Sequence, residues 1–396
     1  MRVLTVGNMY PPHHLGGYEL VWRAAVRHLR SLGHEASVLT TDFRLPSPAE
    51  PEDDGVERTL RWWWRDHAFP QLPLRERYEV ELHNARVLEH KLDELRPDVV
   101  SWWSMGGMSL SLLERVRRRG IPAVAFVHDD WLDYGPRVDA WLKLFSGPRR
   151  GRLAAPAAAL LRTPTTVDFD NAARYEFVSE RTRQRAREAG RNPRDSGIAH
   201  SGIDPAYLDP RQEHGWSWRL LYVGRIDERK GIATVVEALA QLPGEATLTI
   251  VGEGDPEAEA ALRARAGALG VAERITYEGF RTRAELPAAY DAADVVVFPV
   301  IWEEPWGLVP LEAMALGRPV VATGRGGSGE YLRDGENALL FGASDPAALA
   351  KAIERIADDP DLRARLRAGG LETAPRYTED VFNAAVVREL EAAAKR

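Results

Sequence analysis

Two glutamates, Glu304 and Glu312, stand at either end of a segment that favours a loop running into a helix. Pro305 and Gly307 keep Glu304 out of the helix, which we expect to begin near Leu308. One carboxylate therefore lies in the loop and the other about one turn into the helix, with free backbone N–H groups between them. This arrangement could bind two sets of hydroxyl groups on either side of a phosphate. The alternative is a helix whose first turn carries acidic residues that its dipole favours.

A guanidinium and an ammonium lie close together in a second segment, after the predicted strand Leu220–Val223. Gly224 allows close backbone approach, and Arg225 follows at the carboxyl end of the strand. Lys230 stands at the start of the next helix, where a cation opposes the helix dipole unless an anion is bound. The two cations favour a diphosphate site, with a solvated basic turn as the alternative. We expect Arg229, between them, to face solvent.

Two glycines and a histidine follow strands in the first half of the chain. Gly16 and Gly17 precede the first predicted helix and allow a ligand to approach the backbone closely, although an ordinary loop is the alternative. His128 comes directly after the strand Ala123–Val127. A histidine directly after a strand most often caps a helix or packs in the core, and its place at the carboxyl end of the strand makes contact with a ligand the alternative. One of the two aspartates that follow it is expected to cap the next helix.

Weaker signals lie after two later strands. Gly252 and Glu253 directly follow the strand Thr247–Val251, and Phe280 and Arg281 lie just after the next one. The carboxyl ends of parallel strands meet at one edge of a sheet, where such sheets bind ligands. The turn at Gly252 and Glu253 is therefore expected to line the ligand site.

Short apolar runs alternate with helical patterns twice along the chain, which predicts an α/β protein with two Rossmann-like, doubly wound domains. The domains are expected over residues 1–203 and 218–377, with a linker over 204–217 and a terminal helix, 378–396, that could complete the first domain. Facing each other, the two sheets would offer their carboxyl ends to a central cleft. The strands are predicted at Val3–Val6, Ala36–Thr40, Val99–Trp103, Ala123–Val127, Tyr175–Ser179, Leu220–Val223, Thr247–Val251, Ile275–Tyr277, Val295–Phe298, Pro319–Ala322 and Ala338–Phe341.

Composition narrows the function classes. Of the 396 residues 44% are hydrophobic and 28% charged, which is typical of folded globular proteins. The net charge of -7 disfavours general binding to nucleic acid or to anionic membranes. The absence of cysteine excludes disulfides, thiolate metal sites and cysteine nucleophiles, and it fits a cytoplasmic location. No apolar run approaches the roughly 18–20 residues needed to cross a bilayer.

The segment from Glu304 to Glu312 resembles the E-x7-E motif of the family 4 retaining glycosyltransferases, which have the GT-B fold. The order of motifs is similar along nearly the whole chain, from the glycine loop after the first strand to the terminal helix. The stretch Gly326–Glu330 also resembles the late glycine loop of that family. It departs from the family at Ser328-Gly329, where an aliphatic residue and proline are common, and this leaves the details of the donor pocket open.

The resemblance implies transfer of a sugar from a nucleoside-diphosphate donor to an acceptor hydroxyl, with retained configuration through front-face attack. Arg225 and Lys230 would stabilise the leaving diphosphate, while Glu304 and His128 would orient the sugar. These cations would replace a metal, so neither a metal nor another cofactor is expected. The donor site would be completed by Gly16, Gly17, Gly252, Glu253, Phe280, Arg281, Gly307, Leu308, Val309 and Glu312.

Other functions remain open. A sugar-nucleotide epimerase or hydrolase of the same fold would need a further carboxylate pair for acid–base chemistry. An NAD-dependent oxidoreductase would need G-x-G-x-x-G, but Glu257 stands at the third position after Gly252 and Gly254. A protein that binds the donor without turnover is a third alternative. The sequence leaves open the sugar, the nucleotide and the acceptor, which could be a small molecule, a glycan or a lipid-linked group.

Three further features have two interpretations each. Asp168-Phe-Asp170 matches the metal-binding motif of the other glycosyltransferase fold, but we interpret it as helix capping. The tryptophans of the first domain, such as Trp62–Trp64 and Trp102-Trp103, could stack on an acceptor or pack in the core. The basic stretch Arg149–Arg152 predicts either peripheral contact with lipid headgroups or a solvated loop.

Overall fold

The computed structural model describes residues 1–48, 50–64, 68–147 and 154–395. The chain folds into two compact units. One contains Met1–His200 together with Phe382–Arg396, and the other contains Ser201–Val381. Residues 204–217, predicted as a linker, are therefore part of the second unit. Arg149–Arg152 lie outside the described residues.

The first unit is built on a parallel sheet with the strand order β3-β2-β1-β4-β5-β6-β7. Strand β1 pairs with β2 on one side and with β4 on the other, placing Val3 opposite Ala36 and Val99. The two outermost strands were not predicted, whereas the inner five lie where the apolar runs predict them. The strands are β1 Arg2–Val6, β2 Glu35–Thr41, β3 Val56–Leu60, β4 Val99–Trp102, β5 Ala123–Val127, β6 Arg174–Phe177 and β7 Ser196–Ile198.

Helices connect these parallel strands and cover the sheet. Their apolar faces form clusters of buried side chains, one of which includes Val21, Trp22, Val26 and Leu29 of the first helix. Burial of this kind supplies most of the driving force for folding. The helices are α1 Tyr18–Ser31, α2 Leu74–Leu95, α3 Ser111–Arg118, α4 Trp131–Val138, α5 Ala154–Leu161 and α6 Glu180–Glu188.

The second unit repeats the architecture with a parallel sheet in the order β10-β9-β8-β11-β12-β13. Strand β8 lies beside β11, and this neighbouring pair is the topological switch point where doubly wound sheets bind ligands. The strands are β8 Arg219–Val223, β9 Thr247–Val251, β10 Ile275–Gly279, β11 Val295–Phe298, β12 Val320–Ala322 and β13 Leu339–Leu340. The helices are α7 Ile232–Leu239, α8 Pro256–Ala268, α9 Leu286–Ala292, α10 Val309–Ala315, α11 Pro346–Asp358 and α12 Pro360–Thr373.

The last helix, α13 Glu379–Ala394, returns to the first unit. Phe382, Val386 and Leu390 are buried in the same cluster as the apolar face of α1. The N-terminal core is therefore completed by the end of the chain. Across the described ranges, every helix is too short or too polar to cross a membrane.

Candidate functional site

Two residues that the sequence assigned to the site, one cationic and one acidic, are in contact at the carboxyl ends of β8 and β11. The Lys230 ammonium lies 2.8 Å from Glu304 Oε2, although the two residues are 74 positions apart. Both side chains are mostly buried, with 19% and 12% of their surfaces exposed. Partial burial strengthens the attraction between them compared with a pair in open water. The fold therefore brings together two of the four residues that the sequence assigned to catalysis.

Backbone contacts fix the position of Glu304. Its N–H donates to the carbonyl of Trp302, and its carbonyl accepts a hydrogen bond of 2.7 Å from the N–H of Gly327. Gly326 has a φ of 70°, and a Cβ there would collide with the backbone of Glu304. The late glycine loop therefore packs directly on the loop that carries Glu304, and only glycine fits at Gly326.

The basic turn after β8 is held by a carboxylate. Asp227 accepts a hydrogen bond of 3.1 Å from Arg225 and one of 2.9 Å from Arg229, and it also caps the turn by accepting from the Arg229 N–H. Burial pushes the pKa of Asp227 upward, but the hydrogen bonds and charge of Arg229, with the charge of Arg225, outweigh it and leave the pKa below its ordinary value. Asp227 is therefore anionic at neutral pH and holds both arginines.

Arg229 belongs to this network, which the sequence did not predict. Its side chain is about half exposed, as expected, but its guanidinium carbon lies 5.0 Å from the centre of the Trp302 ring. The three cations Arg225, Arg229 and Lys230 face two carboxylates in these contacts, so the cluster carries a net positive charge. Such a cluster suits a polyanionic ligand.

Glu312 lies one turn inside α10 and is buried. Its carboxylate accepts a hydrogen bond of 2.6 Å from the Tyr290 hydroxyl. Burial raises the pKa of Glu312, against the opposing effects of that hydrogen bond and of the Arg283 charge. The helix begins at Val309, next to the predicted Leu308, and Pro310 in its first turn lacks an N–H to offer a ligand.

Other predicted donor residues form the rim of the same sheet. Glu253 accepts a hydrogen bond of 3.2 Å from the N–H of Phe280, joining the turns after β9 and β10. Phe280 is 65% exposed, and Arg281 pairs with Glu278. An exposed aromatic ring beside two strand ends is available for stacking.

The predicted residues of the first unit also come together. Gly16 and Gly17 precede α1, and Tyr18, the first residue of that helix, stacks on the His128 ring with the ring centres 4.5 Å apart. Gly17 has a φ of -81°, which any residue adopts, and a Cβ would meet nothing there. Its backbone conformation therefore does not require glycine, and a close approach by a ligand stays a prediction.

His128 and Asp129 have unusual protonation. Burial lowers the pKa of His128 to about 3, so its imidazole is neutral at physiological pH. Burial also raises the pKa of Asp129 to about 6. Asp129 accepts hydrogen bonds from the N–H of Trp131, at the start of α4, and from the Tyr134 hydroxyl. Asp130 occupies the N-cap position without a side-chain cap hydrogen bond, and Asp129, one residue before it, accepts from the first N–H of the helix instead.

The structure bears on two features that the sequence left with alternative interpretations, the tryptophans of the first domain and the motif Asp168-Phe-Asp170. Trp63, Trp102 and Trp103 are no more than 1% exposed and pack in the core, so they are not placed to stack on an acceptor. Asp168 and Asp170 precede strand β6 and not a helix, which makes the helix-capping interpretation wrong. Asp170 instead accepts from the N–H of Asn192. Across the described residues, no three His, Asp or Glu side chains cluster as metal ligands.

Sequence reasoning missed Trp302 and Asp227. Trp302 donates its indole N–H to Glu304 at 2.7 Å, and its ring lies beside Arg229 and Lys230. The signal was its place between β11 and Glu304, in the loop that carries the first glutamate. Asp227 was visible as one of two acidic residues, with Glu228, between the cations Arg225 and Lys230.

Two family models match this chain. "Glycosyltransferase Family 4" matches residues 15–207, and "Glycosyl transferases group 1" matches residues 210–373. Together they take in most of the chain, with one match in each half. The boundary between them falls close to the division between the two units.

Individual proteins resemble the chain in part or throughout. The phosphatidyl-myo-inositol mannosyltransferase of Mycobacterium leprae is 40% identical over 182 residues, which are 44% of this chain and 46% of that protein. This chain thus spans about half the length of that relative. The glycogen synthase of Mycobacterium tuberculosis is 28% identical over 92% of this chain and 88% of its own length.

Solved structures share the fold along the whole chain. The sucrose-phosphate synthase from Thermosynechococcus elongatus superposes with a TM-score of 0.75 at 23% identity, covering 99% of each chain. Anabaena Alr3699/HepE in complex with UDP superposes with a TM-score of 0.70 at 20% identity, covering 99% of this chain and 100% of that one. The predicted GT-B fold class, with two parallel-sheet α/β domains, is confirmed.

Proposed function

Because the chain belongs to the family 4 glycosyltransferases, with its second half matching the model of the group 1 glycosyl transferases, we propose that it transfers a sugar from a nucleoside-diphosphate donor to an acceptor hydroxyl, with retained configuration and without a metal ion. The observation that carries the proposal is the contact between Lys230 and Glu304 at the carboxyl ends of β8 and β11. It joins a cation for the diphosphate to a carboxylate for the sugar within one site.

In the proposed reaction the bond from the anomeric carbon to the diphosphate oxygen breaks, and a bond to the acceptor oxygen forms on the same face. The acceptor's proton passes to the leaving diphosphate. Negative charge grows on that diphosphate as the bond breaks, and Lys230 and Arg225 stabilise it there. The excess positive charge of the cluster, held by Asp227, supports this role because the cations are positioned before the ligand arrives.

The donor's nucleotide is proposed to lie against the turns after β9 and β10, where Phe280 is exposed. UDP is the first candidate, since the similar Anabaena protein has been solved with UDP and with UDP-glucose. A mannosyltransferase and a glycogen synthase among the relatives extend the candidates to other hexose donors. The acceptor is proposed to be a hydroxyl of a carbohydrate or lipid-linked molecule.

A binding panel and two variants test this proposal. UDP-, GDP-, ADP- and TDP-sugars are screened by thermal shift in the presence of a chelator, and the sugar nucleotide that binds is then used in transfer assays. Lys230→Ala and Glu304→Ala are each expected to lower transfer by about 100-fold or more, because each removes a charge needed at the reacting atoms. An unchanged circular dichroism spectrum establishes that each variant folds.

Matched variants control for general effects. Lys351→Ala and Glu372→Ala remove a lysine and a glutamate that are exposed on helices of the same unit, and they are expected to transfer at the wild-type rate. Full transfer by the Lys230 and Glu304 variants would contradict the site. Donor cleavage that proceeds equally without any acceptor would instead favour a hydrolase, and loss of transfer in chelator would contradict metal independence.

A further inference from the structure

Trp302 contacts the charged residues of the proposed site but has no part in the reaction as described above. Its indole N–H donates to Glu304 Oε2 at 2.7 Å. Its ring centre lies 5.7 Å from the Lys230 ammonium and 5.0 Å from the Arg229 guanidinium carbon. Cations at these distances are attracted to the negative face of an indole. One side chain therefore contacts both the carboxylate and two cations of the cluster.

Both hydrogen bonds to the Glu304 carboxylate reach the same oxygen. Lys230 donates to Oε2 at 2.8 Å, and Trp302 donates to Oε2 at 2.7 Å. Over the described part of the chain, no group donates to the other oxygen, Oε1. Since the backbone of Glu304 is held at its N–H and at its carbonyl, two donors on Oε2 also fix the direction in which Oε1 points.

An indole N–H in this fold does not need a hydrogen-bond acceptor, so the bond from Trp302 to Glu304 calls for another explanation. Trp22, Trp102 and Trp131 are fully buried, yet their indole N–H groups have no acceptor among the described residues. Trp302 is only partly buried, so water could have satisfied its N–H. The Glu304 carboxylate already has Lys230 as a cationic partner, so the added bond from Trp302 is not needed to neutralise its charge. We take this bond to orient the carboxylate.

We propose that Trp302 is a positioning residue that holds Glu304 so that Oε1 accepts a hydrogen bond from a hydroxyl of the donor's sugar. This inference rests on the proposed function and adds a specificity role to it. Trp302 contributes to binding of the sugar portion, whereas the diphosphate is bound by the cations. Loss of its N–H therefore weakens binding of a sugar nucleotide more than binding of the nucleoside diphosphate alone.

The test compares two ligands on three proteins by isothermal titration calorimetry. The probes are UDP and UDP-glucose, with GDP and GDP-mannose as a second pair, on the wild type, Trp302→Phe and Trp216→Phe. Trp302→Phe keeps a smaller aromatic ring beside the cations and removes the indole N–H that donates to Glu304. We expect it to weaken sugar-nucleotide binding by about tenfold, the effect of one lost hydrogen bond to a charged group, and to leave nucleoside-diphosphate binding within about twofold.

Trp216→Phe is the matched control. Trp216 lies in the same unit, is partly buried and has Arg363 5.7 Å from its ring, but its indole N–H has no acceptor among the described residues. This variant is expected to bind both probes as the wild type does. Trp302→Leu provides a second measurement if Trp302→Phe does not fold, because it also removes the indole N–H from Glu304 without adding another donor. It should show the same selective loss.

The outcomes separate the two proposals. Equal weakening of both probes by Trp302→Phe, or no weakening of either, would overturn the role of Trp302 while leaving the proposed function intact. A wild-type protein that binds none of the UDP-, GDP-, ADP- and TDP-sugars of the thermal-shift panel would overturn the proposed function and this inference with it. A selective loss that does not grow further when Trp302→Phe and Glu304→Gln are combined would support action through Glu304.

Discussion

Burial sets the charge of His128 before any ligand binds. Its pKa is lowered to about 3, whereas an unfolded histidine has a pKa near 6.5. Between these two pH values His128 is protonated in the unfolded chain but neutral in the folded protein. The free energy of unfolding therefore falls as the pH drops from about 6.5 towards 3. His128→Asn should therefore lose less stability than the wild type between pH 7 and pH 5, by about 1–2 kcal/mol. Urea unfolding at the two pH values measures the difference.

An exposed histidine serves as the control for that experiment. His90→Asn, on helix α2, is expected to show the same change in stability with pH as the wild type. Equal pH dependence in the wild type and the His128 variant would mean that His128 takes up its proton at the same pH in the folded and the unfolded chain. The burial of the ring would then not keep His128 neutral at mildly acidic pH.

A residue of the site could be predicted from the sequence where its chemical type was unusual for its position in a predicted element. Lys230 and Glu304 follow recognisable strands, and a cation at a helix start or a carboxylate kept out of a helix by Pro305 is unusual enough to be noticed. Trp302 could not be assigned, because a tryptophan in a loop has no spacing rule and most tryptophans of this chain are buried. The orientation of Glu312 towards Tyr290 depends on packing between two helices, which no local pattern encodes.

At the scale of elements, the turns after β8 and β9 are held together by glycines. Gly252 has a φ of 132°, and a Cβ there would collide with the carbonyl oxygen of Gly224. Gly252→Ala must therefore separate the two turns or strain the backbone, and we expect a loss of about 1–3 kcal/mol in unfolding free energy together with weaker sugar-nucleotide binding. Chemical denaturation and calorimetry measure the two effects.

A glycine-to-alanine change at a second site in the same unit serves as the control for Gly252→Ala. It shows whether the loss comes from the close approach of the two turns or from any such substitution. Gly267 lies inside helix α8, and a Cβ there would meet nothing within 4 Å. Gly267→Ala is expected to leave ligand binding unchanged and to stabilise the protein by about 0.5–1 kcal/mol, since alanine is the better helix former. If Gly252→Ala behaved in the same way, the close approach of the two turns would not be needed.

The two strands that the sequence did not predict share a physical cause. Strands β3 and β7 are the outer strands of their sheet, and each has only one neighbour. Outer strands of this kind are partly solvated, and β3, with the sequence Val-Glu-Arg-Thr-Leu, carries two charged residues. The inner strands are buried on both faces and so appear as continuous apolar runs. Among the helices that were also not predicted, α12 has a polar composition and a narrow apolar stripe.

At the scale of the whole molecule, the two ends of the chain depend on each other. Leu390 of helix α13 is 0% exposed and packs in the cluster that holds α1 and β1, near the other end of the sequence. Leu390→Ala removes this packing and leaves a cavity, so we expect a loss of about 2–5 kcal/mol in the stability of the first unit. The change should appear as faster hydrogen exchange in β1 and β5, with β8 and β9 unaffected, because the second unit has a core of its own.

Val381, on the same helix, provides the matched comparison, since its side chain is 53% exposed. Val381→Ala is expected to change stability by less than about 0.5 kcal/mol and to leave exchange in both sheets as in the wild type. Uniformly faster exchange in both sheets of the Leu390 variant would contradict this view and would mean that the two units unfold as one. Faster exchange confined to β1 and β5 means that the unit carrying His128 can open while the Lys230 and Glu304 pair stays assembled.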